Sequence, residues 1–166
     1  LTPHWIHNYE RFLLFKPDYS KSHPTYPDYY SEQRVLLHAL VSIRSQDIHV
    51  FVTHLGLTAD QREKQIQEII KIMARYAGPK ILLGDFNAEL TSAEMAPLFQ
   101  NYRDALSEAG VKGDDLKSYP AGNQSKDAID HIFLSHEFQV REAKVIRDTT
   151  LASDHNPVFA EVELSK

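Results

Sequence analysis

The sequence contains no cysteine. That absence excludes disulfides, a thiolate nucleophile and cysteine-ligated zinc together. It leaves the compartment open, since a chain without cysteine suits either redox environment. No apolar run approaches the roughly 20 residues that a membrane-spanning helix needs. The opening Leu1-Thr2-Pro3-His4-Trp5 has neither the basic nor the apolar region of a signal peptide. The expectation is a soluble chain that starts inside a longer translation product, because an initiating Met is also missing. Positive charge is in deficit, with Lys+Arg 18 against Asp+Glu 23 and a formal net charge of −5. No global field would therefore draw in nucleic acid, and only a local basic groove could do so. There is no internal repeat. What remains is 166 residues with 42% hydrophobic and 25% charged content, roughly one domain with enough apolar mass for a core.

Five of the eight Tyr (Tyr9, Tyr19, Tyr26, Tyr29, Tyr30) and four of the eight Pro (Pro3, Pro17, Pro24, Pro27) fall in the first thirty residues. Such a stretch predicts extended, irregular backbone over residues 1–33. From Val35 to Ile43, the odd-numbered Val35, Leu37, Ala39, Val41 and Ile43 share one face at period two. A turn at Ser45-Gln46-Asp47 and the alternation of Ile48, Val50 and Val52 complete a β-hairpin. Thr58 and Gln61 read as a capping box. Ile66, Ile69, Ile70, Met73 and Tyr76 then recur at helical spacing up to Gly78-Pro79, so this stripe is core rather than a cofactor box. Residues 80–85 read as a buried strand. Thr91 and Glu94 read as a second capping box, with short helices over 93–100 and 102–109. A polar loop covers 111–126, and strands follow over 128–134, 138–146 and 157–164. The order β-β-α-β-α-β-β-β predicts a mixed sheet with helices on one face.

Four polar clusters sit at strand ends: Thr53-His54-Leu55, Gly84-Asp85-Phe86-Asn87, Ile129-Asp130-His131-Ile132-Phe133 and Ser153-Asp154-His155-Asn156-Pro157. A sheet delivers such side chains to a shared edge, and an apolar strand rarely ends in an uncompensated carboxylate. Carboxylate oxygens suit Mg²⁺ or Mn²⁺. An imidazole backed by a carboxylate exchanges protons near neutral pH. Phosphoryl transfer needs positioning and charge neutralisation, which these residue types supply. Three of the clusters also have a plainer reading: an Asx-type turn at Asp85-Asn87, a loop salt bridge at Asp154-His155, a strand-end histidine at His54. His38, His49 and His136 read as structural or surface residues. Within its strand His131 is a weaker candidate than Asp130. A zinc site among His4, His7 and His23 is the remotest option.

Taken in order, these four clusters, with Arg62 and Gln65 near the start of the long helix, resemble the endonuclease/exonuclease/phosphatase superfamily, the deoxyribonuclease I-like fold. The resemblance runs from about Glu32 to the end. It implies an α+β fold, a partial four-layer α/β/β/α sandwich whose mixed sheet carries helices on one outer face. One domain would span 1–166, with motifs in 34–166. It implies that the chain is the C-terminal part of that domain. The N-terminal half, with its second sheet, a metal-binding Glu and an Asn, would be missing, since neither Glu10 nor Glu32 lies in a convincing strand.

By resemblance, Asp85 orients the attacking water and Asn87 contacts the phosphate. His155 contacts the scissile phosphate and moves a proton, with Asp130 behind its imidazole. His54 stabilises charge or protonates the leaving oxygen. Asp154, with Asp85 and Asn87, forms the metal set for Mg²⁺ or Mn²⁺. The implied function is a metal-dependent phosphodiesterase or phosphatase acting on a phosphoester of open class. The alternatives are a nuclease of the same fold and a non-catalytic half-domain that pairs with a companion N-terminal fragment or with itself.

Overall fold

The computed structural model describes residues 4–19, 25, 28–147 and 152–165. Tyr26, Pro3, Pro24, Pro27 and His23 lie outside the described residues. A six-stranded mixed sheet runs in the order β1-β2-β3-β4-β6-β5. Its strands are β1 (Trp5–Leu13), β2 (Val35–Ile43), β3 (Gln46–His54), β4 (Lys80–Asp85), β5 (Arg103–Asp104) and β6 (Asp130–Leu134). Helix α1 (Ala59–Met73) carries the chain from β3 to its parallel neighbour β4, and the short α2 (Ala105–Glu108) follows β5. Strands β7 (Phe138–Val145) and β8 (Val158–Leu164) form a separate antiparallel pair. No helix among the described residues is long and apolar enough to cross a membrane.

The hairpin, α1 and β4 form where the periodicity places them, and the structure departs from the reading in four respects. Part of the start is a strand: β1 pairs antiparallel with β2 over nearly its whole length, and Glu10 sits in that strand opposite His38. The hairpin turn is Arg44-Ser45, both at positive φ (51° and 67°), as a two-residue turn matching the strand twist requires. Neither capping box caps. Thr58 shares a 2.6 Å hydrogen bond with the Tyr19 hydroxyl and makes no side-chain cap bond. Glu94 pairs with Arg62 at 2.6 Å, tying α1 to the 3₁₀ helix Ala93–Gln100. The fourth departure concerns β2, which buries both parities. Leu36 (0%) and His38 (3%) lie deepest, whereas Leu37 is 46% exposed.

Register explains the two faces, because residues directly opposite across strands share a face. Glu10, His38, Phe51, Leu82 and Phe133 form one row. This face packs under α1, whose Ile66, Ile69 and Met73 are fully buried. His38 stacks on Phe51 and shares a 2.9 Å hydrogen bond with His49. The next row, Arg11, Leu37, Val52, Leu83 and Ile132, faces the other way. On this second face Ile48, Val50, Ile81, Ile132 and Leu134 share one apolar cluster with α2 and with Phe138, Val158 and Val162 of the β7–β8 pair. Toward β1 the same face is open: Ile6, Tyr9, Leu13, Leu37 and Val52 are 48%, 81%, 63%, 46% and 39% exposed.

Gly84 has φ 143°, and a Cβ there would lie 1.8 Å from the Thr53 carbonyl oxygen. Strand β3 thus closes on β4 one residue before Asp85. Gly84→Ala should cost roughly 3 kcal/mol of unfolding free energy by urea titration. Gly78 also has positive φ (93°) but nothing within 4 Å of a built Cβ. Gly78→Ala should cost only about 1 kcal/mol. Equal costs would contradict the close approach.

Candidate active site

The row that follows Gly84 on the second face is polar. His54 lies opposite Asp85, and Asp85 opposite Asp130, on the neighbouring strands β3, β4 and β6. Three separate segments therefore deliver their last or first strand residue to one line. His155 joins them from the loop before β8, with Nδ1 donating to Asp130 Oδ2 at 2.6 Å. Its Nε2 lies 3.9 Å from Asp85 Oδ2, and His54 Nε2 lies 3.2 Å from the same oxygen.

Asp85 divides its two oxygens. Oδ1 accepts from the Asn87 backbone N–H at 2.8 Å, which is the Asx turn offered by the sequence. Oδ2 faces both histidines. Asn87 sits at φ 49°, a conformation that Asn tolerates better than most side chains. Its amide Nδ2 donates to the Leu55 carbonyl at 2.9 Å, locking the ends of β3 and β4 together. The turn and the cluster thus coexist, and the turn aims Oδ2.

Electrostatics separate the groups. Burial pushes the Asp85 carboxyl above its ordinary range, and the charge of Asp130 adds to it. For His54, desolvation beside the strand end, reinforced by the charges of Arg34 and His155, outweighs Asp85 and holds the imidazole below its usual value. His155 moves the other way. Burial opposes its charged form, but the hydrogen bond and charge of Asp130, with Asp85 and Asp154 behind them, raise it. One imidazole is biased toward neutral and the other toward charged, a division that suits proton exchange.

The structure brings His54, Asp85, Asp130 and His155 together and places Asn87 at their turn. It leaves Asp154 outside the group. Asp154 is exposed, and its backbone carbonyl accepts from Ala121 N at 2.7 Å. Asp85, Asp130 and His155 each offer one ligand atom within 4.8 Å of the others. His131 turns to the opposite face, 2% exposed, and donates from Nε2 to Ala88 O at 2.8 Å. A cleft of about 290 Å³ opens beside the group, lined by Gly84, Asp130, Ile132, His155, Pro157 and Val158 among others. Sequence reasoning missed Ser118 and Tyr119. Ser118 hydrogen-bonds Asp130, and the Tyr119 ring lies 4.8 Å from the His155 ring. Both fall in the stretch read as a polar loop, where only the Tyr-Pro pair interrupts the pattern.

Because Asp130 raises His155, the linked stability is fully present below about pH 6.5 and fades as pH rises through the folded value. By NMR titration of its Cε1 proton, His155 should titrate above about 6.5 in the wild type and lower in Asp130→Asn. A variant that titrates at or above the wild type would contradict this coupling.

Comparison with known proteins bears on this geometry. The model of the Endonuclease/Exonuclease/phosphatase family matches residues 4–155. The match starts upstream of Glu32 and takes in β1. A UPF0294 protein from Klebsiella pneumoniae (strain 342) is 29% identical over 119 residues, covering 72% of this chain and 42% of that protein. The chain thus spans less than half the length of this curated relative. Among solved structures, an endonuclease/exonuclease/phosphatase from Bacteroides vulgatus superposes with TM-score 0.77 at 22% identity, over 98% of this chain and 67% of the other. A mannosyl-6-phosphatase from Bacteroides thetaiotaomicron gives TM-score 0.72 at 22% identity, over 97% and 67%. These likenesses show the fold, which is α+β and deoxyribonuclease I-like. Matched along most of its length, with strand-end clusters gathered on one row of its sheet, the chain belongs to the endonuclease/exonuclease/phosphatase family.

Proposed function

We propose that this chain carries the hydrolytic site of a divalent-metal-dependent phosphoesterase, acting on a phosphodiester or phosphomonoester. The observation that carries the reading is the row His54–Asp85–Asp130 with His155 hydrogen-bonded behind it.

Asp85 and Asp130 are the residues that would hold Mg²⁺ or Mn²⁺. Two hard carboxylate donors lie side by side, and the charge of one raises the other, a repulsion that a cation relieves. When bound, such an ion supplies charge neutralisation at the phosphoryl oxygens. The protein's own residues do the rest. His155 Nδ1 is committed to Asp130, so Nε2 is the atom that exchanges a proton with the reacting oxygen. Asp85 Oδ2, within reach of both imidazoles, orients the attacking water. His54, more exposed and biased toward neutral, stands on the far side of Asp85 to meet the leaving oxygen. Asn87 keeps Asp85 in place through the turn.

The test is hydrolysis of bis-p-nitrophenyl phosphate and p-nitrophenyl phosphate with Mg²⁺ or Mn²⁺. Metal-dependent turnover is expected, with His155→Ala lowering kcat by at least about 100-fold, the scale of a lost general acid or base. A folded chain that hydrolyses neither ester with either metal, or a His155→Ala variant that matches the wild type, contradicts the reading.

A further inference from the structure

We infer that Ser118 is a positioning residue for the Asp130–His155 couple, fixing the Asp130 carboxylate so that His155 presents Nε2 to the reacting oxygen. The inference rests on the hydrolase reading above and adds a residue to it.

Ser118 is 0% exposed, so its hydroxyl has no access to water and must find its partners inside the protein. It finds them on one residue. The Oγ–H donates to Asp130 Oδ2 at 2.6 Å, and Oγ accepts from the Asp130 backbone N–H at 3.3 Å. Asp130 Oδ2 therefore receives two short donors, Ser118 Oγ and His155 Nδ1, each at 2.6 Å. One hydrogen bond leaves a carboxylate free to swing about its terminal torsion, which is broad and soft. Two donors converging on the same oxygen remove that freedom.

A serine that served only to end the strand would need nothing beyond the backbone N–H contact. The second bond, to the oxygen that holds His155, is what a positioning role requires. The backbone of Ser118 ties the same parts together. Its N–H donates to Asp127 O at 2.9 Å, and its carbonyl accepts from the N–H of Asn156, the residue after His155, at 2.8 Å. Removing the hydroxyl leaves these backbone bonds in place. The loop and His155 should keep their positions while the carboxylate loses its second anchor. Ser118→Ala thus separates orientation from folding.

The experiment compares wild type, Ser118→Ala and Ser118→Thr in two ways. Steady-state hydrolysis of bis-p-nitrophenyl phosphate with Mn²⁺ is the first. Ser118→Ala should lower kcat about tenfold with KM little changed, as expected for loss of one buried hydrogen bond to a charged group. Ser118→Thr, which keeps the hydroxyl, should restore most of it. The second is the proton NMR signal of the His155 Nδ1–H in the metal-free protein. It should shift upfield or broaden in Ser118→Ala and return in Ser118→Thr. Equal kcat in wild type and Ser118→Ala, or a drop that threonine does not restore, overturns the inference. So does an unmoved Nδ1–H signal, even in a protein that hydrolyses nothing. Absence of wild-type turnover is instead the failure of the hydrolase reading, and it removes the kinetic role while the NMR result still decides the positioning.

Discussion

The site depends on register. His54, Asp85 and Asp130 are neighbours because β3, β4 and β6 pair with those three residues opposite one another. A slip of one residue would turn every side chain of a strand to the other face. What prevents the slip is apolar: the rows before the polar one alternate between the α1 side and the β7–β8 side, and each is filled to suit its cover. Phe51, Leu82 and Phe133 are fully buried under the helix. Exposing any of these rings or chains to water would cost kilocalories. Packing on one face thus fixes the position of charge on the other.

Within that frame the charged groups have few options. Each Asp85 oxygen has its own task, one closing a turn and the other facing two imidazoles. Asp130 is held by a serine and in turn holds a histidine. The hydrogen bonds are local and the charges are not balanced pair by pair. Burial raises Asp85 while Asp130 raises His155, and the imidazole on the other flank of Asp85 is lowered. A set of this kind stores opposing proton preferences within a few ångströms, which structural ion pairs such as Arg62–Glu94 do not need.

Much of this was readable in the residues. Strands β2, β3, β4 and β6 and helix α1 announce themselves by period, and the four strand-end clusters stand out because polar groups interrupt apolar runs. The parts that were not readable share a physical cause, a partner distant in sequence. Strand β1 does not alternate in the usual way, because Ile6, Tyr9 and Leu13 lie on the uncovered part of the face. Thr58 and Glu94 have the spacing of caps, yet tertiary partners Tyr19 and Arg62 claim their side chains. Ser118 is one serine in a polar loop, and only the folded contacts distinguish it from Ser125 or Ser107.

The parallel pairing of β3 with β4 has a kinetic meaning. The β2–β3 hairpin and α1 are local and can form early, whereas β4 must return across a helix before it meets β3, and His155 arrives only when the loop before β8 settles beside Tyr119 and Asp130. Non-local pairings of this sort close late, since their loop entropy is lost before their contacts form. A partly folded chain can therefore possess a helix, a hairpin and much of the core while its four key side chains are still far apart. Assembly of the row waits on these non-local pairings, so a probe placed on the His155 ring would report complete folding more stringently than helix content or compactness.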